Sequence, residues 1–179
     1  MEITREIVQG MSPAVVLWPH PALRRLCLGI DSPGEAAALA GRMLDVLRAL
    51  GGLGLAAPQV GVQARMFVWD VDGASGSVLN PVLAEPEGRC SSEEGCLSLP
   101  GVSATVERHA SATLVGVSAD WHPLRVAGVG LLARVWQHEL DHLDGLTLAE
   151  RMSATELVAN TRALKRLRRA CRPRWRAER

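Results

Sequence analysis

Residues 137–145 read QHELDHLDG, and two histidines set four apart with an acid between them restrict the fold of this chain more than any other feature. On a helix, side chains four apart stand one above the other with Cβ atoms about 5–6 Å apart, so His138 and His142 can grip one ion with Glu139 beside it. This is the H-E-x-x-H arrangement, in which two imidazoles bind a metal and the glutamate moves protons. The surrounding spacing predicts a helix from about Gly130 to Leu143. Leu132, Trp136, Leu140 and Leu143 lie three or four apart on one side, and Gly145 is a natural stop. The histidine pair falls on the adjoining face, where a sheet can cover it.

Other segments supply that cover. GEAAALAGRMLDVLRAL (34–50) has helix formers throughout and apolar residues close to helical spacing, and the Gly51–Gly54 stretch ends it. ARMFVWDV (64–71) is a short β-branched run, and SVLNPVL (77–83) reads as its hairpin partner, with Pro81 marking an edge or a bulge. SATLVGVSAD and HPLRVAG predict another hairpin turning at 119–122. From Ser153 to Cys171 the chain reads as one amphipathic helix with Leu157, Leu164 and Cys171 seven apart. These elements make an α+β protein: small, mostly antiparallel β-sheets around a central metal-binding helix, plus a C-terminal helix.

The chain has 179 residues, 47% of them hydrophobic, enough for one substantial core, so residues 1–179 are expected to form a single domain. Charges at Glu2, Arg5 and Glu6 argue against a secretory leader, and no run approaches the ~18 apolar residues of a membrane span. The expected location is the cytoplasm. Net charge is +1, but nine Lys or Arg against Glu178 alone fall between Arg162 and Arg179, leaving a basic helix or tail from about residue 153 on an acidic body.

A catalytic ion needs a third protein ligand. Asp144 and Glu150 follow the histidines, but Asp144 is too near along the same helix to turn back onto the ion. Cys96 in EEGCLSLPG is the stronger candidate, next to Gly95, where the backbone can bend and approach other groups. Taken alone, Cys96 would read as a small buried hydrophobe. The third stretch, GGLGLAAPQVG, fits G-x-G-x-x-A through Gly52, Gly54 and Ala57. That dinucleotide fingerprint requires a strand before and a helix after, however, and here a helix precedes and Pro58 interrupts. What survives is a glycine turn that brings backbone near a ligand, with Gln59 just beyond it.

GLGLAAPQ, EGCLS and QHELDH, in this order, resemble the three motifs of peptide deformylase, the metal hydrolase that removes the formyl group from the N-terminal methionine of new bacterial polypeptides. The resemblance covers about residues 19–152. It implies that Cys96, His138 and His142 are the metal ligands and that a water held by the ion attacks the formyl carbon, with Glu139 taking its proton and delivering it to the departing amine. It implies further that the Gln59 side-chain amide and the Leu97 N–H stabilise the oxyanion. Fe²⁺ is the expected ion for activity, with Zn²⁺, Ni²⁺ or Co²⁺ able to occupy the site. N-formylmethionyl nascent peptides are the implied partners. The peptide is expected to add as a strand near Gly52, Gly54 and Gly95, with Leu53, Leu97, Leu131 and Val135 lining a pocket for the methionine side chain.

Second contributions are expected from Asp141, orienting His142 or pairing with Arg108, and from Glu94, anchoring the cysteine loop. The chain departs from the family pattern in two places: many bacterial members have a peptide-contacting arginine where Val102 and Ser103 stand, and a Tyr or Phe where this chain reads LTLAERM. The basic C-terminal segment resembles that of relatives that contact the ribosome near the nascent-chain exit. A generic H-E-x-x-H protease is the alternative enzyme, disfavoured by Cys96, and a non-catalytic ribosome-associated protein is the alternative from another class.

Overall fold

The computed structural model describes residues 1–12 and 14–175, with side chains through Cys171. A short helix α1 (Arg5–Gly10) leads to α2 (Ala36–Ala49), and seven strands follow: β1 (Gly54–Ala56), β2 (Met66–Val71), β3 (Ala74–Glu87), β4 (Cys90–Gly95), β5 (Ser103–Arg108), β6 (Ser111–Val117) and β7 (Pro123–Val129). The metal-motif helix α3 (Gly130–Leu143) comes next, then α4 (Leu148–Arg151), α5 (Ala154–Ala159) and α6 (Thr161–Trp175). The strands form an antiparallel sheet in the order β1-β2-β3-β6-β7 and a separate antiparallel pair, β4-β5. The expected α+β class with a central helix is the class found. No helix among the described residues is long and apolar enough to cross a membrane.

Helix α3 begins and ends at the residues the spacing predicts. It stops because Gly145 adopts φ +77, a left-handed conformation that favours glycine, and a Cβ there would stand 3.0–3.2 Å from the backbone of Arg24 and Arg25. Its apolar side packs into a cluster with Phe67 and Trp69. The Trp69 and Trp136 rings meet edge to face at 5.8 Å, and Trp136 and Leu143 are fully buried, while Leu132 and Leu140 pack at the cluster's margin. The adjoining face of the helix carries Val135, His138, Glu139 and His142 towards β1 and the β4 end.

Of the local details, one alternative is decided, one hairpin is added and one helix is corrected. Pro81 does not mark an edge, since β3 is the middle strand of five. The chain instead shifts register between Leu79 and Val82, with Asn80 at φ +49, so Pro81 lies in a bulge and removes no ladder bond. The hairpin of β4 and β5 was not anticipated, because CSSEEG carries no apolar alternation. Only β5 alternates, with Ala104, Val106 and Arg108 turned inwards. The single C-terminal helix is two helices, divided at Asn160. Glu156 accepts from the Thr105 N–H at 2.6 Å and Asn160 Nδ2 donates to Ser103 O at 2.9 Å, so α5 covers the outer edge of β5 and α6 departs separately. The buried face of α6 is Ala163, Leu167 and Cys171, whereas Leu157 is 41% exposed. Of the basic segment, 176–179 lie outside the described residues.

Candidate metal centre

Three elements meet at the floor of one cleft of about 430 Å³. Helix α3 supplies His138, Glu139 and His142, the turn after β4 supplies Cys96 and Leu97, and the 3-10 turn Ala57–Val60 after β1 supplies Gln59. One donor atom each from Cys96, His138 and His142 lies within 4.8 Å of the other two, and Cys96 Sγ is 3.2 Å from His142 Nε2. At that spacing small side-chain adjustments bring all three onto one ion with bonds of about 2.0–2.3 Å. His138 Nδ1 stands 2.9 Å from Glu94 Oε2. An ionised carboxylate only accepts, so Nδ1 carries the proton and Nε2 is left free as a ligand.

The electrostatics fit a cation. Burial would raise the Cys96 thiol, yet the charges and hydrogen bonds of His142 and His138 outweigh it and bring it down to about 5, in the range of a ligating thiolate. Burial likewise opposes ionisation of Glu94, but His138 and Arg108 hold its carboxyl at about 2. Glu139 is 3% exposed, and burial pushes its carboxyl up to about 7 against the pull of His138 and His142. Its Oε2 is buried with no hydrogen-bond partner, as is His142 Nδ1. A buried carboxylate oxygen left unmatched beside three convergent soft and borderline donors suits a site with one position open to solvent or substrate. The residues present therefore fit a catalytic transition-metal ion.

Gln59 is held before anything binds. Its Oε1 accepts from the Ala56 N–H at 2.8 Å, which fixes the amide plane and turns Nε2 towards Ser98 Oγ at 3.2 Å and Cys96 Sγ at 3.7 Å. Among the described residues the Leu97 N–H donates to no protein acceptor, although the turn is fixed by Leu99 N–H to Cys96 O and Trp18 N–H to Ser98 O. Glu94 sits in a buried network. Arg108 donates to both of its oxygens at 2.9 and 3.0 Å and reaches Asp141 at 2.7 Å, while Arg151 also pairs with Asp141. Asp141 thus pairs with Arg108 and is not bonded to His142, and Glu94 orients His138 besides anchoring the cysteine loop.

Chain similarity bears on this geometry. The polypeptide deformylase family model matches residues 13–157. The chain belongs to the polypeptide deformylase family. It is 39% identical over 178 residues to peptide deformylase 2 of Streptomyces avermitilis, covering 96% of this chain and 92% of that one. It is 39% identical over 150 residues to the peptide deformylase of Acidothermus cellulolyticus, covering 83% of each. The crystal structure of peptide deformylase from Thermus thermophilus superposes with a TM-score of 0.83 at 34% identity, covering 89% of this chain and 99% of that one. As a polypeptide deformylase family member the protein is an enzyme, with a Cys/His/His group able to bind metal.

Most of the site residues singled out from the sequence line this one cleft, and His142 is buried beside Cys96 at its floor. Gly52, Leu53, Gly54, Gly95, Leu131 and Val135 line it with Gln59, Cys96, Leu97, His138 and Glu139. Gly54 is there for space: a Cβ would stand 2.4 Å from Glu139 Oε1. Gly95 is not at the bend expected for it. It ends β4, paired with Ser103, and a Cβ there would meet nothing within 4 Å. Asp144 and Glu150 are committed elsewhere, to Arg65 and to the Thr147 cap. Sequence reasoning gave no role to Ser98, fully buried and accepting from Gln59, or to Arg134, which also lines the cleft. Arg134 precedes His138 by four, and helical spacing alone could have flagged it.

Proposed function

We propose that this enzyme hydrolyses the formyl amide of N-formylmethionyl polypeptides as they are made, with Cys96, His138 and His142 holding one ion. The observation that carries this reading is the meeting, on one cleft floor, of a buried carboxylate, an amide donor aimed by the backbone and a free N–H, all beside the three donors. When bound, the ion supplies Lewis acidity, polarising the formyl carbonyl and making a water acidic enough to attack at neutral pH. Fe²⁺ is the ion we assign to activity, and one thiolate with two imidazoles also accommodates Zn²⁺, Ni²⁺ or Co²⁺.

Glu139 takes the proton of the attacking water and gives it to the departing amine, from a buried position against Gly54. Gln59 Nε2 and the Leu97 N–H donate to the carbonyl oxygen as it becomes negative. Because Gln59 is already tied to Ala56 its amide plane is fixed, and only the hydrogen directed at Cys96 Sγ has to pass to the oxygen. The peptide lies as an added strand between β1 near Gly52–Gly54 and β4 near Gly95. β1 is the edge of its sheet, which supports this placement. Leu53, Leu97, Leu131 and Val135 receive the methionine side chain.

In the same reading residues 1–179 act as one cytoplasmic domain, and the basic segment on α6 contacts ribosomal RNA. Deleting 162–179 should weaken ribosome binding, and binding of the full chain should fall with salt. Equal binding with and without the segment discards that contact. The activity itself is tested by formate release from formyl-Met-Ala with protein prepared without oxygen and loaded with Fe²⁺, beside Glu139→Ala. Release by the wild type alone supports hydrolysis and the role of Glu139. No release from protein with bound metal refutes the reading.

A further inference from the structure

The cleft walls are mostly glycine and aliphatic side chains, and at the floor the charged groups other than Glu139 are already matched. Glu94 is bound by Arg108 and His138, and Arg108 also holds Asp141. Two charged side chains on the walls are not matched. Arg134, half-buried one turn before His138 on the same face of α3, has its Nη1 on Ser92 Oγ across the cleft and makes no ion pair among the described residues. Glu93, next to Ser92 on β4, is exposed, lines the same cleft and is also without an ion-pair partner among the described residues.

The two charges differ in what they can do. Glu93 is in solvent, where its field is screened. Arg134 is half-buried and held in place by Ser92. A guanidinium has five N–H donors, so most remain available to a ligand. A half-buried, positioned cation beside the path of an extended peptide acts on any charge that the peptide carries.

We propose that Arg134 is a specificity residue: it favours substrates with an acidic side chain within the first residues after methionine and disfavours those with Lys or Arg there. This rests on the deformylation reading above. An opposite charge brought within about 6 Å of a partly buried partner, against a like charge at the same place, predicts a preference of about 3- to 10-fold. The preference should appear in KM more than in kcat, because the residue acts on binding away from the reacting carbonyl.

The test compares formyl-Met-Ala-Asp with formyl-Met-Ala-Lys on Fe²⁺-loaded wild type, Arg134→Met and Arg134→Lys, with binding of both peptides to the Glu139→Gln protein measured by calorimetry. The expected results are a 3- to 10-fold preference for the Asp peptide in kcat/KM and in affinity, weakened by salt, kept in part by Arg134→Lys and lost in Arg134→Met. If Arg134 only packed α3 against β4, Arg134→Met would lower both peptides alike. That outcome, or equal use of the two peptides by the wild type, overturns the assignment while leaving deformylation standing. No formate from either peptide overturns the activity reading and this inference with it.

Discussion

Replacing Gly54 with alanine tests how closely the backbone of β1 approaches the proposed proton carrier. The added carbon would stand 2.4 Å from Glu139 Oε1, 2.8 Å from its carboxyl carbon and 2.8 Å from Val135 Cγ1, whereas ordinary contact starts at 3.4 Å. The carboxylate and the strand must therefore part by about 1 Å. β1 is held to β2 along its whole length, and α3 is anchored by buried Trp136, so the Glu139 side chain is the part that gives way. A catalytic group misplaced by about 1 Å costs on the order of 100-fold in rate, equivalent to about 2.7 kcal/mol of transition-state stabilisation. The crowding at Val135 adds about 1–3 kcal/mol of destabilisation. Formate release, bound-metal content and thermal unfolding measured side by side should show a drop in kcat of about that size with metal retained and Tm lowered. Gly95→Ala is the control, since its methyl enters open space and should leave Tm and metal content unchanged. A Gly54→Ala enzyme with wild-type kcat and Tm would refute the steric argument.

Arg108→Ala leaves buried Glu94 with His138 as its one remaining partner, while Asp141 keeps Arg151, so it should cost about 3–5 kcal/mol by chemical denaturation. Glu94→Gln, which releases His138, should instead weaken metal affinity about 10- to 100-fold in a chelator competition. Gln59→Ala should lower kcat about 100- to 1,000-fold in formate release with the ion still bound, since it removes one donor to the developing oxyanion. The face of α6 can be checked by thermal unfolding: Leu167→Ala should cost about 2–5 kcal/mol, and Leu157→Ala less than about 0.5 kcal/mol.

Local chemistry explains which parts could be foreseen. α3 was legible to the residue because its apolar stripe, its histidine spacing and Gly145 all point to one helix. The β6–β7 hairpin and β2 were legible because β-branched runs alternate with turn residues. The β4–β5 hairpin was hidden by its own role. The inward row of β5 ends in Arg108, whose pairing with Asp141 could be foreseen but whose buried two-point contact with Glu94 could not. The break at Asn160 was invisible because no helix signal fails there. What divides α5 from α6 is a tertiary demand, the capping of the β5 edge by Glu156 and Asn160. At the site, the motifs named the donors, but the orientation of Gln59 by Ala56 and of His138 by Glu94 depends on contacts 3 and 44 residues apart in sequence, only the first of them local.

The three metal donors belong to two different parts of the interior. Cys96 packs with Leu99, Val106 and Leu167, whereas the histidines ride on the helix whose other face joins the Phe67–Trp69–Trp136 cluster. An ion held by all three works as a rivet between two cores. A chain in which β4 and β5 had slipped by one residue would turn its side chains to the wrong face and misdirect Cys96, and it could not close the rivet. Metal uptake by these three donors would then require that both halves have been assembled in register. An ion that bound the joined form alone would add its affinity to the stability of the seam. Withdrawing it should open the protein first along the line between β4 and α3, the line on which the cleft itself is built.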